Sequence, residues 1–191
     1  MMTEDELVAG LKDGNPSAFS ELVGLYREKI IRTCYRFLFS AEAAEDISQE
    51  VFIEVFRSVK SFRHESGLST WIYRIAVSKC LDEIKRRKRR RRISSFARIL
   101  GIDNFAAGLR ESRTADQPLL EKENQLMLLE ALQQLPDNQR IALTLGGIEG
   151  YDNKTIAHIM NIPVTHVEML RHRGKKKLSM LLEKILKKSG S

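Results

Sequence analysis

Three groups of side chains in this sequence have types and spacings that could do chemistry. The densest is Lys85-Arg86-Arg87-Lys88-Arg89-Arg90-Arg91-Arg92, eight basic residues without interruption. Such a run repels itself and has no place in an apolar core, so it is either a solvated charge block or localisation signal, or a neutraliser of phosphates. On the phosphate reading, engaging six of these charges would make log affinity fall against log salt with a slope of about −5. It would specify a polyanion, not a base sequence. The second group is Asp46, Gln49, Glu50, Ile53 and Glu54. Spaced i, i+3, i+4, i+7 and i+8, they share one face of a helix. An ordinary solvent face has the same spacing. DNA gains nothing from negative charge there, so a functional partner of this face would be a protein.

The third group lies near the C-terminus, where a short apolar stretch, the turn Asn161-Ile162-Pro163 and a longer stretch form a helix-turn-helix pattern. The inward stripe of the longer helix is Val167, Leu170, Gly174, Leu178, Leu181 and Ile185. Thr165, His166, Glu168, Met169, His172, Arg173 and Lys176 then face outward. The first four fall in the opening turns, where base edges of a major groove are reached. Arg171, Arg173, Lys175, Lys176 and Lys177 suit phosphates, which position a helix without reading sequence. A helical hairpin that merely packs or dimerises would show the same pattern.

Other chemistries lack their residues. Cys34 and Cys80 are far apart in sequence, and with His64, His158, His166 and His172 they make no metal-ligand cluster. A nuclease using Asp46, Glu50 and Glu54 would need carboxylates converging on a metal, which an outward helix face does not provide. The sequence is therefore expected to encode no enzyme and to need no cofactor. Lys and Arg number 32 against 25 Asp and Glu, a net charge of +7 that favours a polyanionic partner. No apolar run approaches the ~20 residues that span a bilayer, so membrane insertion is not expected. The acidic start Met1-Met2-Thr3-Glu4-Asp5-Glu6 lacks the order of a signal peptide, and the expected location is cytoplasmic.

Helices must position these groups, because three- and four-residue apolar periodicity dominates the 191 residues and no strand pattern competes. Thr3 with Glu6 has capping-box spacing, and Asn15-Pro16 reads as an N-cap with proline at the first helical position. Phe19, Leu22, Val23, Tyr26 and Ile30 form the stripe of the next helix. Another is expected from near Ser40 with Ala44, Ile47, Val51, Val55 and Val59 inward. Phe62 to Ser69 reads as a loop, and a further helix runs from about Thr70 through Trp71, Ile72, Ile75 and Ala76 to about Ile84. Ile93 to about Pro118 combines linker punctuation with apolar Phe96, Ile99, Leu100, Ile102 and Phe105, so it either docks or folds as a short helix. Helical order returns over Leu119 to Leu135. A helix then starts at Pro136-Asp137, with Gly146-Gly147 as its weak point, and a short one capped by Asp152 precedes the final helix to about Lys187. The fold class is all-α: an N-terminal helical bundle over 1–92, a linker over 93–120 and a helix-turn-helix domain over 121–191.

The order of these features resembles the extracytoplasmic-function sigma factors of the sigma-70 family. Ala44-Glu45-Asp46-Ile47-Ser48-Gln49-Glu50-Val51-Phe52, Ser69-Thr70-Trp71-Ile72-Tyr73-Arg74-Ile75-Ala76 and Cys80-Leu81-Asp82-Glu83-Ile84-Lys85-Arg86-Arg87 resemble the family's region 2. Leu135-Pro136-Asp137-Asn138-Gln139-Arg140, Ile148-Glu149-Gly150, Ile156-Ala157-His158-Ile159-Met160 and His172-Arg173-Gly174-Lys175-Lys176-Lys177-Leu178 resemble region 4. The resemblance implies a protein that binds core RNA polymerase and directs initiation at promoters by recognising −10 and −35 elements. Asp46, Gln49, Glu50 and Glu54 would meet the polymerase clamp helices, and region 4 would also dock on the flap. Arg63, His64, Trp71, Arg74, Ser78, Lys79, Asp82, Lys85, Arg86 and Arg89 would melt and hold the −10 strand, with bases captured as in other single-strand binders. Thr165, His166, Glu168, Met169, Arg171, His172, Arg173, Lys175 and Lys176 would read −35 duplex. An anti-sigma factor wedged between the two regions would regulate it.

Ser78 stands where the family usually has Asn. Glu168-Met169-Leu170 replaces the commoner Lys-Ser-Arg, and Pro163 the usual Ser, so no −35 sequence preference carries over. The alternative reading is a stand-alone helix-turn-helix regulator, which leaves the Asp46–Glu54 face without a purpose.

Overall fold

Four of the described helices start on a side-chain cap from the residue just before them. The computed structural model describes residues 2–99 and 119–189, with side chains for 2–92 and 125–187. Helix α1 (Glu4–Lys12) opens on the Thr3/Glu6 capping box, and α2 (Pro16–Leu38) on Asn15, whose side chain accepts from the Ser17 N–H. Ser40 caps α3 (Ala41–Ser58), which ends in a 3-10 turn over Val59–Ser61. Helix α4 (Leu68–Ile99) is followed after residues 100–118 by α5 (Leu119–Gln133), α6 (Asp137–Gly147), α7 (Asn153–Met160) and α8 (Val164–Ser189). Asp152 caps α7, and Asn161 closes it in the left-handed conformation (φ 53°). The Ile162 N–H reaching Ala157 O at 3.1 Å makes a Schellman turn into α8. There is no strand among the described residues.

The expected loop 62–69 is shorter, because α4 begins at Leu68 rather than Thr70. A long-range cap sets that start: Glu4 Oε1 on α1 accepts from the Leu68 N–H at 2.9 Å. Nor does α4 stop near Ile84. It carries the whole basic run and continues to Ile99. Glu83 explains the continuation, pairing with Arg86 at 2.6 Å and Arg87 at 2.7 Å, three and four residues on. Burial raises the pKa of Glu83, but the bonds to Arg87 and Arg86 outweigh it and hold the carboxyl below its ordinary value. Residues 93–99 thus continue α4, and the rest of the segment 93–118, expected to dock or to fold as a short helix, lies outside the described residues.

In the N-terminal unit, Leu22, Ile30, Cys34 and Phe37 of α2 meet Ala44, Val51 and Val55 of α3 and Ile72, Ala76 and Cys80 of α4, all fully buried. Cys34 and Cys80, remote in sequence, are both fully buried in this core. The Cys34 thiol beside it, with burial, pushes the Cys80 thiol well above its ordinary pKa. In the C-terminal unit, Ile141, Leu145, Ile156, Ile159 and Val167 are buried, while Leu132, Leu135 and Leu143 make a smaller cluster against Leu178 and Leu181. The two units pack on each other, α2 against α6 and α4 against α7, through one continuous core.

Candidate nucleic-acid interface

Helix α3 buries Ala44, Ile47, Val51 and Val55, which turns Asp46, Gln49 and Glu50 to solvent, with Glu54 partly exposed. Ile53 and Phe56 stand among them at 50% and 52% exposure. Phe56 was not among the sequence candidates, although its place off the buried stripe marked it. Its ring meets Phe19 edge-on at 5.5 Å. Lys79 of α4 reaches across to this face, 3.5 Å from Glu50 and 3.9 Å from Glu54. A groove of about 410 Å³ between α3 and α4 is lined by Asp46, Glu50, Lys79, Asp82, Glu83 and Arg86. Lys79, expected on DNA, is thus engaged with the acidic face, and Lys85 lies 3.1 Å from Asp82.

The loop 62–67 folds over the start of α4. Phe62 is buried and packs its ring against His64 at 4.7 Å and Trp71 at 5.1 Å. His64 takes a left-handed backbone (φ 56°), and its Nδ1 lies 3.9 Å from Asp5 of α1. Arg63, Trp71 and Arg74 line one open cavity of about 310 Å³ with His158 of α7. A half-buried indole lining one cavity with two guanidinium groups has the chemistry for stacking a base beside counter-charge. Ser78 and Asp82 follow on the exposed face of α4.

Along the basic run the side chains divide by helical face. Arg87 turns inward to Glu83 and donates to Leu38 O at 3.2 Å, Lys88 pairs with Asp137 of α6, and Arg89, Arg90 and Arg91 are exposed. On α8, Thr165, Glu168, Met169, His172, Arg173, Lys175 and Lys176 are exposed and His166 partly so, while Val167, Leu170 and Gly174 are buried. Arg171 does not join the exposed basic residues. It bonds Asn153 and lies across Gly146, where an added Cβ would be 2.7 Å from its guanidinium carbon. Gly146, expected as a weak point of α6, makes room for that side chain.

Among the described residues no group of three His, Cys, Asp or Glu side chains could hold a metal, and no helix is long and apolar enough to cross a membrane. The arrangement is one of surfaces: an acidic face with exposed apolar residues, an aromatic-basic cavity, and a basic helix after a tight turn.

Known proteins resemble this chain in both sequence and fold. Residues 22–90 match the family model for sigma-70 region 2, and residues 125–178 that for sigma-70, region 4. The RNA polymerase sigma-H factor of Pseudomonas aeruginosa is 31% identical over 193 residues, spanning 99% of this chain and 100% of that protein. The ECF RNA polymerase sigma factor SigW of Bacillus subtilis is 31% identical over 169 residues, 88% of this chain and 90% of its own. In fold, the chain resembles CnrH, solved in complex with the cytosolic domain of CnrY (TM-score 0.67, 20% identity, 95% of this chain and 97% of that one). It also resembles the sigma factor RpoE of Bartonella quintana, solved with the anti-sigma factor NepR (TM-score 0.65, 19% identity, 86% and 96%). With both regions present in order and full-length relatives on either side of the match, the chain belongs to the extracytoplasmic-function sigma factors, a group of the sigma-70 family of RNA polymerase sigma factors.

Proposed function

We propose that this sigma factor docks on core RNA polymerase through α3, captures the melted −10 strand at the loop 62–67 and the first turns of α4, and reads −35 duplex with α8. The observation that carries the polymerase contact is the pairing of Ile53 and Phe56, half exposed, with the carboxylates of Asp46, Glu50 and Glu54. A merely solvated face has no use for an exposed isoleucine and phenylalanine together. An apolar centre inside a charged rim is the anatomy of a protein interface. The Arg63–Trp71–Arg74 cavity supports single-strand capture, and the exposed first turns of α8 support major-groove reading. An anti-sigma factor is a further proposed partner, supported by the complex with the anti-sigma factor NepR in which the RpoE neighbour was solved.

The test is size-exclusion chromatography with core polymerase free of sigma. The protein co-elutes, and Asp46→Arg with Glu50→Arg abolishes co-elution while leaving helicity unchanged. Co-elution by that variant would remove α3 from the interface. Elution alone at low salt would favour a stand-alone regulator.

A further inference from the structure

Helix α8 presents a carboxylate on the face proposed for the −35 duplex. Between Arg171 and Lys177 the helix carries five Lys and Arg residues, and Glu168 is its one acidic residue before Glu183. Glu168 is exposed beside exposed Thr165, Met169 and His172, which share its side of the helix, while Val167 and Leu170 face the core. It is the fifth residue of α8, beyond the first turn where the helix dipole favours a carboxylate. Arg171, three residues on, stands where a cation ordinarily pairs with it. That guanidinium is instead turned to Asn153 of α7 and lies over Gly146 of α6, with its Nε buried. Among the described residues no hydrogen bond or ion pair engages the Glu168 carboxylate. The fold thus has no use for this charge.

We infer that Glu168 is a specificity-determining residue of the −35 contact and that it selects a cytosine. The inference rests on the proposed reading of −35 duplex by α8. A carboxylate brought to DNA is repelled by the phosphates and by most base edges. In the major groove guanine presents N7 and O6, and thymine presents O4, all of them acceptors that a carboxylate cannot satisfy. Adenine offers its N6 amine beside the N7 acceptor, so one carboxylate oxygen is bonded while the other is opposed. Cytosine offers the N4 amine with no acceptor on its own edge, which makes it the base an anionic acceptor tolerates best. Discrimination of this kind works by rejecting the wrong bases as much as by bonding the right one. The exposed cations that follow, Arg173, Lys175 and Lys176, can hold phosphates and offset the repulsion. A lysine in place of Glu168 would add affinity for any sequence, whereas the glutamate gives up affinity for a choice of base.

The test uses holoenzyme assembled from the full chain and core polymerase free of sigma. Start sites are mapped on genomic DNA of the source organism, the −35 element of one such template is randomised, and the transcribed templates are sequenced. One position of that element should demand cytosine on one strand, with any other base there lowering transcription about tenfold. Glu168→Gln should move the preference at that position alone to adenine, whose N6 and N7 suit an amide, and Glu168→Lys should move it to guanine. Both substitutions fall on an exposed side chain, so helicity and co-elution with polymerase should be unchanged. A base preference that both variants leave unaltered at every position overturns the inference. So does a position that depends on Glu168 but selects a base other than cytosine. Co-elution lost with base preference unaltered would make Glu168 a protein contact and overturn it equally. If randomising the whole element leaves transcription unchanged, and His172→Ala does too, α8 reads no −35 duplex and the proposed reading itself has failed. That outcome is distinct from a sequence preference that merely ignores Glu168.

Discussion

Glu4 belongs to α1 yet completes α4, since its carboxylate takes the Leu68 N–H that the loop leaves unpaired three residues before Trp71. Glu4→Ala removes an N-terminal cap, a change that costs about 1 kcal/mol. The expected readout is local: faster hydrogen exchange at Leu68 and weaker promoter opening, with co-elution with polymerase unchanged. Unchanged opening would mean that the loop holds its shape without α1. Two glycines make a sharper pair. A Cβ at Gly174 would lie 2.9 Å from Leu143 Cδ1 and 3.4 Å from Gln139 Cβ, where α8 crosses α6, whereas a Cβ at Gly24 on the exposed side of α2 meets nothing within 4 Å. Gly174→Ala should therefore lower the urea midpoint, because overpacking costs about 1–3 kcal/mol. Gly24→Ala should raise it, since the gain in an open helix is about 0.5–1 kcal/mol. The same direction for both would refute the packing argument. The sequence showed Gly174 in an inward stripe. It could not show that Gly146 accommodates Arg171, because the contact joins helices that no local spacing relates.

At the scale of elements, the caps were legible because capping is local: Thr3, Asn15 and Asp152 each bond a backbone N–H two or three residues on. The length of α4 was not. A dense basic run reads as self-repelling and helix-ending, but Glu83 neutralises its first turn and Arg87 finds the Leu38 carbonyl. Because the run is helical, its charges point in several directions and fewer than six can face one strand of phosphates. Arg89, Arg90 and Arg91 are three consecutive exposed residues of the run. Replacing those three by alanine should weaken promoter binding evenly across sequences and reduce the salt slope by up to about 3. A slope that does not move, measured by promoter binding from low to moderate salt, would show that these arginines touch no phosphate.

At the scale of the whole molecule, the seam between the units was beyond the reach of the sequence. Ile148-Glu149-Gly150 stood out only as part of a motif, and its partners Thr33 and Tyr73 lie 116 and 76 residues away. Cys34 and Cys80 likewise gave no sign of being neighbours. The acidic face on α3 was legible as a helical patch, while its apolar centre needed Phe56 to be seen off the buried stripe. The proposed function divides the labour among surfaces, with a face for protein, a cavity for unpaired bases and a helix for duplex. The most direct test of that account is transcription from total genomic DNA of the source organism by core polymerase, with and without the protein, mapping the 5′ ends of the transcripts. The account predicts discrete new start sites sharing one −10 and one −35 element, lost with Asp46→Arg/Glu50→Arg. The same start sites with and without the protein would contradict it.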